Sequence, residues 1–388
     1  MKRAGAALIG VLAIACEKVD TGVEPGPPSA DLSKYVAMGT SITMGFASDG
    51  VNASLQQGSW AKLLADDAGV TFTLPLIDSP GCTPPLASPL GALRRIDNSP
   101  ITASAVCSNN SAGVTLPAQN VAVRGAKASD ATATSYAGAT VGARVLPAGQ
   151  TQVSAMKAQN PTFVSVEFGA NELLPALNGL VSNATVVSFA EFSASYAQIV
   201  ASVKQTGAKA LLALVPTDLA KFPALRTGPE IANQRPQFSL LNVSVNADCN
   251  TSTNYVTLLK LLTVIGTAAV RATAGLGPVD LSCADVPGTA DGILTAADIT
   301  TLNALAVQMN AFITAQANAN GYATFSLGAL YDTAKNGVQF DLAPILALPN
   351  PFGPNISMDG IHPSLAGHQV LMAAAKAGII ARYGLITK

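Results

Sequence analysis

Histidine is almost missing from this chain. Its 388 residues contain two, His362 and His368. Any chemistry that needs an imidazole must use one of them. Charge is scarce as well: 22 basic and 23 acidic residues make 12% of the chain charged, with no excess of either sign. That balance gives no electrostatic footprint for nucleic acid. No Cys-x-x-Cys pair exists, which argues against a zinc site. Beyond the first sixteen residues there is no apolar run long enough to span a bilayer.

The N-terminus reads as an export signal. Lys2 and Arg3 precede a short apolar run that ends in Ala13-Ile14-Ala15-Cys16. This resembles a bacterial lipoprotein signal, in which Cys16 would carry the lipid; Ala13 stands where leucine is usual. We therefore expect 1–16 to be a signal peptide, 17–33 a flexible tether rich in Gly, Pro, Ser and acids, and 34–388 the folded domain. The expected location is the bacterial cell envelope, held by the anchor at the outer membrane or its periplasmic face. Four further cysteines, Cys82, Cys107, Cys249 and Cys283, suit an oxidising compartment. They allow three pairings, of which Cys82–Cys107 and Cys249–Cys283 are the local ones.

Buried strands are expected over 34–38, 163–168, 208–215 and 323–326, with a further strand over 71–77 and a short extended run over 120–124. Helical spacing marks 60–68, 150–159, 189–205, 302–319 and Leu365–Tyr383. Nearly continuous apolar strands alternating with helices imply a parallel sheet covered on both faces. Two stretches break the rhythm. The region 79–117 is rich in Pro, Ser and Asn and holds the first cysteine pair. The region 217–301 holds the second, with a helical stretch at 255–273, and reads as an insertion over the site.

In sheets of this kind ligands gather at the carboxyl ends of the strands. Gly39-Thr40-Ser41 follows the first strand, Gly125 the extended run and Gly169-Ala170-Asn171 the second buried strand. Asp359-Gly360-Ile361-His362-Pro363 can close onto that edge. The set has the residue types of ester hydrolysis. Ser41 is a weak nucleophile until His362 takes its proton, and Asp359 would fix the imidazole tautomer. The Gly125 N–H and the Asn171 amide would stabilise an oxyanion. His368, six residues past His362, reads instead as a face of the last helix. The stretch 291–298 faintly resembles part of a calcium loop but lacks its early ligands. It reads better as a turn followed by Thr295 capping a helix, with Asp298 in the first turn.

These blocks resemble those of the SGNH hydrolases, or GDSL esterase/lipase superfamily: Val36-Ala37-Met38-Gly39-Thr40-Ser41-Ile42-Thr43, Asn120-Val121-Ala122-Val123-Arg124-Gly125-Ala126, Val166-Glu167-Phe168-Gly169-Ala170-Asn171-Glu172 and Asp359-Gly360-Ile361-His362-Pro363-Ser364. The resemblance implies a flavodoxin-like three-layer α/β/α fold and a cofactor-free serine esterase, with Ser41, His362 and Asp359 as its triad. It places the oxyanion between the Ser41 N–H, the Gly125 N–H and the Asn171 side chain. Two positions depart from the pattern: Thr40 and Glu172 each stand where the family has Asp. Thr40 keeps a hydroxyl that can hydrogen-bond locally but loses the charge, and Glu172 keeps the charge on a longer arm. The expected partners are an ester (short-chain, lipid or acetylated glycan), water and a membrane, with the chain a monomer. The alternative is a lipid- or glycan-binding lipoprotein that keeps the scaffold without catalysis.

Overall fold

The computed structural model describes residues 29–102, 107–134, 139–332 and 340–388. The expected signal, Cys16 and most of the expected tether lie outside them. Four short strands form a parallel sheet: β1 (Tyr35–Met38), β2 (Phe163–Val166), β3 (Lys209–Leu214) and β4 (Ala323–Ser326), in the order β4-β3-β2-β1. Every residue of β1 and β2 is buried, which is why these strands read as continuous apolar runs rather than as alternation. The run at 120–123 lies beside β1. The Ala37 N–H donates to Gln119, the Val121 N–H to Ala37 and the Val123 N–H to Gly39. Counting that run second along the chain, the spatial order is the flavodoxin-like 2-1-3-4-5. Its switch point falls at β1, next to β2.

Helices cover both faces. One face carries α2 (Trp60–Ala68) and α7 (Leu365–Tyr383), which pack on each other; α7 also packs on β4. The Trp60 ring lies 5.0 Å from Phe325 of β4. The other face carries α3 (Gln152–Ala158), α4 (Phe189–Thr206) and α6 (Ala296–Asn320). Sequence-local devices set their ends. Ser188 and Glu191 form a capping box at the start of α4, and Gly207 ends that helix at φ 75°. Thr295 and Asp298 form the expected box on α6, so this helix begins six residues before the periodicity over 302–319 suggests.

The insertion builds small sheets of its own. Leu225–Thr227, Tyr255–Thr257 and Ile293–Leu294 pair antiparallel, and Val243–Val245 pairs parallel with Val279–Leu281. The helix expected from residue 255 begins three residues later, as α5 (Leu258–Thr273), because Tyr255–Thr257 is taken into a strand and Thr257 becomes the cap. Disulfides join Cys82 to Cys107 and Cys249 to Cys283.

Two further expectations need correction. Residues 71–77 form no strand. Only Ile77 makes a bridge, to Asn110, while the Thr73 and Ile77 N–H groups donate to the side chains of Gln119 and Gln56. The place beside β1 is filled by 120–123, and 71–77 meets that run through one backbone bond, from the Asn120 N–H to the Thr73 carbonyl. The tether also ends before residue 33, because Ser29–Asp31 pairs in parallel with Leu385–Thr387.

Candidate active site

The register of β1 on β2 pairs Met38 with Val166, so Gly39 and Glu167 leave the sheet side by side. A Cβ at Gly39 would stand 2.8 Å from the Glu167 carbonyl oxygen; only glycine permits this approach. The chain then turns through Thr40 into α1 (Ser41–Met44). As the first residue of a helical turn, Ser41 has no intrahelical acceptor for its N–H.

From the far end of the chain, the loop before α7 reaches the same edge. His362 Nε2 lies 3.0 Å from Ser41 Oγ, and His362 Nδ1 lies 2.8 Å from Asp359 Oδ2. Ser41 is 6% exposed, and the side chains of His362 and Asp359 are 14% and 11% exposed. The hydrogen bonds assign the tautomer. An ionised carboxylate only accepts, so Nδ1 carries the proton and Nε2 is left to accept from the serine hydroxyl. Asp359 is held ionised. Burial alone would raise its pKa, but the interaction with His362 and the donors around it outweigh this and bring it to about 2. Those donors are the N–H groups of Asp49, Ile361 and His362 and the Ser357 hydroxyl. Phe46 meets the His362 ring edge to face at 4.8 Å, and the Arg124 guanidinium lies 4.9 Å from the centre of the Phe46 ring.

Gly125 and Asn171 come together beside Ser41's strand. Gly125 follows the 120–123 run, is exposed and has φ +73°. Its need for glycine is conformational: a Cβ there would meet no protein atom within 4 Å. Among the described residues no acceptor takes the Gly125 N–H. Asn171 follows β2 and donates from Nδ2 to the Ala126 carbonyl at 3.0 Å, which fixes the amide beside Gly125 and leaves a second N–H. His368, by contrast, is buried on α7. Its Nδ1 accepts from the Trp60 N–H, and burial pushes its pKa down to about 3. It is a neutral packing residue.

Residues 35–375 match the model of the GDSL-like lipase/acylhydrolase family. The chain belongs to this family. Its members are ester hydrolases, and the fold and the order of the blocks agree. No curated protein matches the sequence. Among solved structures it is similar to an acetylxylan esterase from Geobacillus stearothermophilus (12% identity over 90% of this chain and 95% of that one, TM-score 0.39). It is also similar to LAE5, an alpha/beta hydrolase from the metagenome of Lake Arreo, Spain (13% identity, 90% and 96% covered, TM-score 0.40). At that distance neither bears on substrate.

Against the GDSL pattern, the two departures acquire physical reasons. Thr40 keeps a bonded hydroxyl, and its partner comes from the neighbouring strand. Its N–H and its hydroxyl donate to Glu167, at 2.9 Å, and Thr43 adds its own hydroxyl to the same carboxylate at 3.0 Å. An acid from the end of β2 thus holds the turn that carries Ser41. Glu167 is 1% exposed; burial raises its pKa against those donors. Glu167 was not among the expected site residues, although a single acid ending an apolar strand was the signal available.

Glu172 also differs from expectation: it does not simply keep its charge. It is fully buried, and burial pushes its carboxyl up to about 7 against the Ala128 N–H, which donates to Oε1 at 2.6 Å. Glu172 and Asn171 thus clamp the Gly125 loop through Ala128 and Ala126. The aromatic and methionine residues Phe46, Phe168, Met44 and Met358 are all core.

Proposed function

We propose that this protein hydrolyses carboxylic esters through an acyl-enzyme at Ser41. The observation that carries the reading is the unbroken chain of contacts Asp359–His362–Ser41, with the proton assigned to Nδ1. His362 takes the hydroxyl proton as Oγ attacks the ester carbonyl. The oxyanion is received by the Ser41 and Gly125 N–H groups and the second Asn171 N–H. Preorganised donors of this kind contribute roughly 2.7–4 kcal/mol each to transition-state stability. His362 then passes its proton to the departing alcohol. Water, deprotonated in turn by His362, attacks the acyl-enzyme and frees the acid. Asp359 stays ionised throughout and stabilises the imidazolium. Export and lipid attachment at Cys16 belong to the proposal as well, supported by the N-terminal sequence, and loss of envelope fractionation in a Cys16→Ser chain is their test.

The mechanism is tested by hydrolysis of 4-nitrophenyl acetate and butyrate by the purified protein and its Ser41→Ala and His362→Ala variants. Each variant should lose nearly all turnover, and the double variant little more, because the groups act as a unit. Turnover that survives Ser41→Ala would refute the assignment.

A further inference from the structure

A cavity of about 410 Å³ opens beside Asp359 and Ile361. That size falls within the range of small-molecule sites. Its walls come from four parts of the chain: Leu86 from the disulfide-closed excursion, Leu174 and Leu177 just after Asn171, Leu258 and Leu262 of α5 in the insertion, and Ile361 beside His362. One end is polar and already paired. Asp359 accepts from His362, and the other carboxylate there, Asp49, is held at 2.6 Å by the buried Arg95. Three more polar side chains line it, Thr102, Thr257 and Asn178. Thr257 accepts the Lys260 N–H, and Asn178 accepts the Leu180 N–H. Among the described residues no aromatic ring lines the cavity.

These facts select a ligand chemistry. Sugar hydroxyls set against the leucine and isoleucine walls would go unpaired, at a cost, whereas methylenes would exchange water for those side chains. The polar end lies two contacts from the attacking oxygen, through the 2.8 Å and 3.0 Å bonds of His362. Neither Ser41 nor His362 lines the cavity, which lies on the Asp359 side of the imidazole, so an ester arm must pass the ring to enter it. Resting on the esterase reading, we propose that the cavity takes an apolar arm of the substrate, either the acyl chain or the alkyl chain of the alcohol. The insertion 217–301, through α5, then sets specificity toward alkyl esters rather than acetylated glycans.

The test is kcat/KM for 4-nitrophenyl acetate, butyrate, hexanoate and octanoate, with ethyl, butyl and hexyl acetate for the other arm. One series should rise by about fourfold per methylene while the chain is being buried. Leu177→Trp and Leu262→Trp fill the cavity from opposite sources, and each should bring the long-to-short ratio of that series toward one. Two outcomes would overturn the proposal: both series flat or falling from the shortest member, or a rise that neither tryptophan alters. Failure of the esterase reading looks different: no ester of any length is turned over, or turnover persists in Ser41→Ala.

Discussion

Asp359→Asn is isosteric and separates chemistry from packing. The two carboxylate oxygens divide five donors. Oδ1 receives the Ile361 and His362 N–H groups and the Ser357 hydroxyl; Oδ2 receives the Asp49 N–H and the His362 Nδ1–H. Asparagine has one acceptor oxygen, and the three donors at Oδ1 claim it. Its NH₂ group must then occupy the Oδ2 position, facing the Asp49 N–H and the imidazole. The ring can meet an N–H there only with an unprotonated Nδ1. That moves the ring proton to Nε2, 3.0 Å from Ser41 Oγ, where it blocks transfer from the hydroxyl. A forced tautomer of this kind costs about 10⁴-fold in kcat, or about 5.5 kcal/mol. The opposed N–H groups add a stability loss of about 1–3 kcal/mol. The assay is single-ester steady-state kinetics on the purified variant, with urea denaturation to show that it is folded. A folded variant retaining kcat within tenfold of the parent would show that Asp359 does not set the tautomer, and the reasoning would fail.

Three further outcomes are expected. Glu167→Ala strands the buried Thr40 and Thr43 N–H groups; it should lower stability by about 3 kcal/mol and kcat by up to about 10²-fold as Ser41 loses its support, and unchanged denaturation and kinetics would contradict the role given to Glu167. Burial holds His368 at about 3 against an ordinary 6.5, so the unfolded chain takes up a proton that the folded chain refuses. The stability this group contributes is complete above pH 6.5 and drains as pH falls toward 3, by up to about 1.4 kcal/mol per pH unit; His368→Asn should flatten that loss, and denaturation curves of equal acid sensitivity would count against it. Glu172 has the opposite sign, since its carboxyl is raised from 4.5 to about 7: its contribution is complete below pH 4.5 and is lost as pH rises through 7, about 3 kcal/mol at most. The difference curve between the parent and Glu172→Gln should change across that window and be level outside it.

The site was legible in the sequence to the extent that its groups are scarce or stand at chain landmarks. With two histidines in the chain, the Asp359-to-His362 spacing nearly assigns the base. Ser41, Gly125 and Asn171 each follow an extended run that ends in or next to glycine. What the sequence could not show depends on pairing between distant segments. Glu167 meets Thr40 only because β1 and β2 pair in one particular register. The Asp49 N–H that holds Asp359 is a backbone group, invisible in any residue pattern. Residues 71–77 carry a strand's composition, yet whether a strand forms depends on a neighbour, and they meet the 120–123 run through one backbone bond. The cavity is assembled from residues as far apart as Leu86 and Ile361, so no local stretch announces it.

The central claim is that Ser41 is the atom acylated, activated by His362. The direct measurement is intact-protein and peptide mass spectrometry after treatment with an alkyl fluorophosphonate, which reacts only with an activated serine. One adduct should form, on the peptide carrying Ser41, at a rate that falls at least about 10³-fold in His362→Ala. Labelling of a different serine, or labelling of Ser41 at the same rate without His362, would contradict the account.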